Sequence, residues 1–142
     1  EAAPWLDLGT GAGFPGLVIA AMRPELEVVL VESRKKRVDW LERAAVELGL
    51  GKCRVEGRRL ELVKSFPAAT ISARAFAPLP KLFVLSARFS TQDTLWLLPK
   101  GRSAVQEVAS LPPEVAELFH VEHSVTDSEA GIVIGTGRPK SA

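Results

Sequence analysis

Residues 7–16 read Asp7-Leu8-Gly9-Thr10-Gly11-Ala12-Gly13-Phe14-Pro15-Gly16, and the reading of this stretch decides the fold. Leu6–Leu8 in front of it is a short apolar strand, and Leu17–Met22 behind it is a buried helix ended by Arg23-Pro24. Pro15 suits the first turn of that helix, where a missing N–H costs nothing. A strand that breaks into glycines and re-forms as a helix is the opening unit of an α/β sheet. Glycines at this point let the backbone turn sharply and approach a ligand that a Cβ would push away.

The rest of the chain repeats the alternation. Glu27–Val31 is a β-branched run and hence a second buried strand. Ser33 is the expected N-cap of a helix whose inner face carries Val38, Leu41, Ala45 and Leu48, stopped by Gly49-Leu50-Gly51. A third strand at Lys52–Glu56 and a weak helical segment at Arg58–Val63 follow. Then come strand Ala69–Ala73, helix Pro80–Arg88, strand Thr94–Leu98 and a helix within Arg102–Ser110. Phe119–Val125 alternates, Thr126–Ala130 is a turn and Gly131–Ile134 is a strand, which together predict a terminal antiparallel hairpin. The sum is an α/β doubly wound sheet, mostly parallel, with right-handed crossovers. Without repeat, low-complexity segment or linker, residues 1–142 are expected to form one domain.

Composition narrows the function. The 142 residues suit one domain, and 46% hydrophobic content excludes a mainly disordered chain. Cys53 is the single cysteine, so there is no internal disulfide and no multi-cysteine metal cluster, and a reducing, cytoplasmic compartment and a metal-free site are expected. Leu17–Met22 is the longest apolar run, too short to span a bilayer, so no membrane partner is expected. Eighteen basic against 17 acidic residues give a net charge of +1, so any basic surface is local. Arg34-Lys35-Lys36-Arg37 crowd a helix start, where the macrodipole disfavours cations. With Arg58, Arg59, Lys81, Lys100 and Arg102 near strand ends, they predict a basic rim facing an anionic partner.

Gly11-Ala12-Gly13-Phe14-Pro15-Gly16 is literally G-x-G-x-x-G, the dinucleotide fingerprint. Asp7 separates the readings. A carboxylate at the mouth of the loop repels a pyrophosphate and attracts a ligand with ammonium and sulfonium charges, of which S-adenosylmethionine (SAM) is one. Glu32 ends the second strand, where an acid accepts hydrogen bonds from ribose hydroxyls of either ligand. Three readings follow: a SAM-dependent methyltransferase, a nicotinamide-dependent oxidoreductase, and a catalytically idle fragment that binds SAM or RNA. The absence of any tyrosine counts against the oxidoreductase.

The methyl acceptor is read from what surrounds the site. A pyrimidine carbon needs a cysteine nucleophile, but Cys53 falls inside a strand as a small buried hydrophobe. An exocyclic amine is commonly met by a polar-Pro-Pro-aromatic tetrapeptide after the fourth strand, where this chain has Ser72-Ala73-Arg74-Ala75-Phe76. A hydroxyl needs a base, and His120 and His123 lie in the terminal hairpin as edge residues. Guanine N7 has a lone pair and no proton to lose, and Arg74 at the fourth strand's end is placed to hold guanine O6, a phosphate or the SAM carboxylate.

These residues resemble the small-subunit ribosomal RNA methyltransferase G family (RsmG, also called GidB). Asp7 to Gly16, Arg23-Pro24 and Lys36-Arg37-Val38 resemble its first block, Arg59-Leu60-Glu61 its Arg-Val-Glu, Ser72 to Phe76 its Ser-Arg-Ala-Phe, and Lys100-Gly101 its Leu-Lys-Gly. The resemblance runs from Trp5 to about Gly135. It implies a Rossmann-like SAM-dependent methyltransferase fold and methylation of a guanine N7 in 16S ribosomal RNA or the small subunit, by a cytoplasmic monomer. By position it implies that Gly9 and Phe14 line the SAM site, with Gly11 in the same loop. Leu60 and Glu61 would contact the adenosine, Arg74 would complete the pocket, and Lys100 would help catalysis or face RNA. Pro99 before Lys100 departs from the family's apolar residue and is expected to re-aim that lysine. The family's helical N-terminal segment has no counterpart in residues 1–142.

Overall fold

The computed structural model describes residues 4–74, 76–127 and 129–139. Strands β1 (Trp5–Leu8), β2 (Val28–Val31), β3 (Cys53–Glu56), β4 (Thr70–Ala73), β5 (Leu95–Gly101), β6 (Phe119–His123) and β7 (Gly131–Thr136) form one sheet in the order β3-β2-β1-β4-β5-β7-β6. The first five run parallel, and β7 joins them antiparallel to β5 and β6. This is the doubly wound sheet with its C-terminal hairpin that the sequence predicts. The order of winding reverses between β1 and β4, so the crevice at their carboxyl ends is the place for a ligand.

Strand β2 reads Val-Val-Leu-Val because both faces are covered. Val28 and Leu30 pack with Leu17, Ala20, Leu41 and Ala45 beneath helices α1 (Gly16–Met22) and α2 (Lys35–Glu47). Val29 and Val31 face the larger core on the other side, where α3 (Leu79–Ser86) and α4 (Ala104–Ala109) contribute Leu79, Leu82, Phe83 and Ala104. There Phe83 stacks on Phe119 with centroids 4.9 Å apart, and Trp96 meets Phe83 edge-on at 5.3 Å.

Several boundaries differ from expectation for local reasons. Ser33 does not cap α2. The N-cap is Arg34, without a side-chain cap bond, and the neighbouring Glu32 carboxylate accepts from the Ser33 and Arg34 N–H groups at 3.0 Å each. Leu41 and Ala45 form the buried stripe of α2, Val38 is half-buried, and Leu48, past the helix end, is 56% exposed. Arg58–Val63 holds a single 3-10 turn, Leu60–Leu62, because Leu60 and Val63 both anchor in the core three residues apart. Helix α3 ends at Ser86, whose hydroxyl donates to the Leu82 carbonyl at 2.5 Å, and Ala87–Phe89 continues as a 3-10 turn. Strand β5 runs on to Gly101 with an irregular register between Pro99 and Gly101, and a short helix α5 (Pro113–Ala116) precedes β6. The β6 strand stops at His123, where Ser124 N–H bonds the Ala130 carbonyl; Ser128 of the expected turn lies outside the described residues. His120 and His123 sit on β6 at the sheet edge, as expected.

Gly16 fixes the approach of α1 to the sheet. A Cβ there would meet Leu30 Cδ2 and lie 2.6 Å from Asp7 Oδ2. Gly16→Ala is therefore expected to lose about 1–3 kcal/mol in urea unfolding, the usual range for overpacking. Wild-type stability in that variant would show that α1 can shift outward freely.

Candidate cofactor cleft

An open cleft of about 510 Å³ lies at the carboxyl end of β1. The glycine loop from Gly9 to Ala12 with Phe14 forms one wall, Lys36, Arg37 and Trp40 of α2 form another, and Arg74 past β4 closes it. Phe14 is 50% exposed, and the Arg74 guanidinium carbon stands 5.8 Å from its ring centroid. Gly9 has φ +59°, and a Cβ on it would sit 2.7 Å from Phe76 Cδ2, so only glycine fits the turn against that ring. Gly9, Gly11, Phe14 and Arg74 are thus brought together around one cleft. Ala75, between Arg74 and Phe76, lies outside the described residues.

The loop takes its shape from two buried carboxylates. Asp7 is fully buried and does not line the cleft, contrary to the expectation of direct contact with a ligand's charge. Its Oδ2 accepts from Thr10 Oγ1 at 2.7 Å and Gly16 N–H at 2.9 Å, and its Oδ1 accepts from Ser72 Oγ at 2.7 Å. Ser72 Oγ in turn accepts from Trp5 Nε1 at 2.8 Å. Burial pushes the Asp7 carboxyl above its ordinary range, opposed by the Thr10, Ser72 and Gly16 donors and by the charge of Arg74. Glu32, 6% exposed, holds the other side. Its Oε1 accepts from Gly11 N–H at 2.9 Å, its Oε2 takes the Ser33 and Arg34 N–H groups just before α2, and Arg37 comes to 3.9 Å.

Leu60, Glu61 and Lys100 do not line this cleft. Leu60 is 2% exposed in the core, and exposed Glu61 pairs with Arg59 at 3.3 Å. The Lys100 side chain is 8% exposed where the expected catalytic or RNA-facing role needs exposure. Its ammonium donates to the Ala77 carbonyl at 2.5 Å and pairs with Glu107 at 3.4 Å, and Glu107 Oε1 also accepts from Leu79 N–H. Lys100 therefore ties β5 and α4 to the loop that carries Arg74. The expected basic rim also contracts, because Arg58 pairs with Glu56 and Arg102 with Glu129. Cys53 is half-buried on β3, with its thiol pushed up by burial.

Sequence reasoning missed Trp40, Phe76 and Arg88. Trp40 carried a signal, since it stands three and four residues after Arg37 and Lys36 and so shares their helical face. Arg88 donates to the Leu60 and Val63 carbonyls at 2.6 Å each while lying 4.1 Å over the Phe89 ring, so it latches the 3-10 turn. No local pattern announces such a contact.

The seven-stranded sheet, the glycine loop on β1 and the acid ending β2 define the class of SAM-dependent methyltransferase folds. SibL, a SAM-dependent methyltransferase in its apo form, superposes with a TM-score of 0.71 at 15% identity over 99% of this chain and 51% of its own. A SAM-dependent methyltransferase from Aquifex aeolicus gives 0.67 at 16% identity over 96% and 82%. The family model for rRNA small subunit methyltransferase G matches residues 1–132, and the chain belongs to that family. It is 60% identical to ribosomal RNA small subunit methyltransferase G of Erythrobacter litoralis, over 99% of this chain and 68% of the relative. The protein of the same name from Novosphingobium aromaticivorans is 59% identical over 92% and 57%, and that of Sphingopyxis alaskensis 57% over 94% and 57%. The chain spans between about half and two thirds of the length of these relatives.

Two measurements probe the polar clamps. Because the folded Asp7 pKa is raised, its contribution to stability is full in acid and is lost as pH rises through the folded value. In urea titrations over a pH series, the gap between wild type and Asp7→Asn should narrow with rising pH; a widening gap would mean that the three donors outweigh burial. Lys100→Met takes the ammonium from the Ala77 carbonyl and the Glu107 carboxylate and should cost about 1.5–3 kcal/mol, the range for hydrogen bonds to charged groups. A loss within the roughly 0.5 kcal/mol typical of surface substitutions would return Lys100 to the surface role.

Proposed function

We propose that this protein transfers the methyl group of SAM to N7 of a guanine in 16S ribosomal RNA, acting in the cytoplasm on the RNA or the small subunit. The observation that carries the reading is the lining of the cleft: glycine-loop backbone, two aromatic rings and three cations, Lys36, Arg37 and Arg74. Methyl transfer is a displacement in which alignment of nucleophile, methyl carbon and leaving sulfur supplies most of the acceleration, on the order of 7–11 kcal/mol. The N7 lone pair attacks the methyl carbon as the bond to sulfur breaks. The product is a methylated guanine bearing positive charge and neutral S-adenosylhomocysteine. No proton leaves the acceptor, so cations and rings suffice where a hydroxyl acceptor would need a base.

Phe14 and the loop around Gly9 and Gly11 would receive the cofactor. Glu32 uses three of its roughly four acceptor positions on backbone N–H groups, which leaves one for a ribose hydroxyl. Arg74 would hold guanine O6, a phosphate or the SAM carboxylate beside Phe14. The adenosine roles of Leu60 and Glu61 remain part of this proposal, with Arg88 keeping their turn in place. The names of the relatives support the substrate, and the SAM-dependent neighbours support the cofactor.

Isothermal titration should give SAM binding in the micromolar range and no comparable binding of NAD; tight NAD binding without SAM binding overturns the reading in favour of an oxidoreductase. Labelled methyl transfer to small subunits lacking the mark should be detected. A SAM-competent protein that transfers nothing would be an idle binding fragment. Arg74→Ala should keep its circular dichroism spectrum and lose about 10²-fold or more in transfer, the range for removing one positioned donor.

A further inference from the structure

We propose that the outward face of α2 formed by Lys36, Arg37 and Trp40 is a docking platform for single-stranded RNA at the mouth of the cleft. Trp40 stacks a nucleobase there, and the two cations hold flanking phosphates. The proposal rests on the methyltransferase reading and deepens it by assigning a surface to the substrate.

Trp40 is 45% exposed although it belongs to a helix whose buried face is already filled by Leu41 and Ala45. The other two tryptophans have settled structural places. Trp5 Nε1 donates to Ser72 and fully buried Trp96 donates to the Gly137 carbonyl at 2.8 Å. The Trp40 indole N–H has no partner among the described residues.

Its surroundings are cationic. Lys36 and Arg37 precede it by four and three residues and line the same cleft, and Arg74 stands across it over Phe14. Lys36 makes no ion pair with the described residues, and Arg37 reaches only the 3.9 Å approach to Glu32. These cations occupy a helix N-terminus, where the macrodipole opposes them, so the arrangement works against helix stability. An exposed ring interleaved with cations along a groove is the combination that binds single strands, because every base offers a π-face and every nucleotide a phosphate. A second exposed ring, Phe14, lies in the same cleft nearer the loop, so a strand seated on Trp40 leads its neighbouring nucleotide towards the methyl donor.

The test uses a short single-stranded RNA containing guanine, added to protein saturated with SAM. Since Trp96 is buried and Trp5 is bonded to Ser72, quenching of indole fluorescence by the RNA reports Trp40. Trp40→Ala should abolish the quenching and weaken RNA binding roughly 5- to 150-fold, the effect of losing one stacked base. Trp40→Phe should keep most of the affinity without the signal. Lys36→Gln and Arg37→Gln should each reduce the slope of log affinity against log salt by about 0.7. SAM affinity, read separately by calorimetry, should fall by less than the RNA affinity in Trp40→Ala. Three outcomes overturn the platform. Unchanged RNA affinity in Trp40→Ala with normal SAM binding removes it and leaves the methyltransferase reading standing. A loss of SAM affinity in that variant as large as the loss of RNA affinity assigns Trp40 to the cofactor instead. A wild-type protein that binds no SAM removes the reading beneath it.

Discussion

The Asp7 carboxylate is the constraint on which the cleft depends. It sits on β1, yet its three partners come from the loop, the start of α1 and the end of β4. Each buried donor left unpaired costs about 1–3 kcal/mol, so one side chain fixes three segments at once. The dependence runs both ways. Gly16 N–H reaches Asp7 because Gly16 has no Cβ, and a Cβ there would occupy the carboxylate's own space. The glycine motif and the acid two residues before it are therefore one device, in which the carboxylate organises the backbone that meets the ligand.

Glu32 repeats the device one strand over. Its carboxylate joins Gly11 of the loop to the Ser33 and Arg34 amides that lead into α2. An acid at a helix N-terminus is favourable, and here it offsets the basic turn that follows. Between them, the two carboxylates set the loop and α2 at a fixed separation. The space between these walls is the cleft, and Arg74 enters it from the third side because Ser72, two residues earlier, is held by Asp7.

The sequence was legible where information is local. Buried parallel strands announce themselves as β-branched runs, and the loop is written in consecutive residues. Ser33 failed as a cap because residue type favours that role without securing it, and the acid next door had better geometry. Leu48 failed because a helical stripe continues on paper after the helix has ended. Lys100 and Leu60 show the larger limit. Both stand where expected along the chain, but whether a side chain points to solvent or to the core depends on elements far away. Glu107 and the Ala77 carbonyl capture Lys100 near the irregular register after Pro99. Asp7 was found by its chemistry and misjudged in its exposure, because burial is a property of the assembled sheet.

Charge follows the same logic. Among the expected rim cations, Arg58, Arg59 and Arg102 each have an acid within 3.3 Å, and Lys100 is buried with one. Exposed pairs of this kind contribute little to stability, but they cancel the field at their own positions. Glu32 stands nearest the cations of the cleft, and most of its bonding capacity is committed to backbone amides. Lys36, Arg37 and Arg74 surround the loop with no ion pair among the described residues beyond the 3.9 Å approach of Arg37 to Glu32. A chain with a net charge of +1 can in this way present an anion-attracting mouth over one crevice. An anion is favoured at these unpaired cations over the paired positions of the rim.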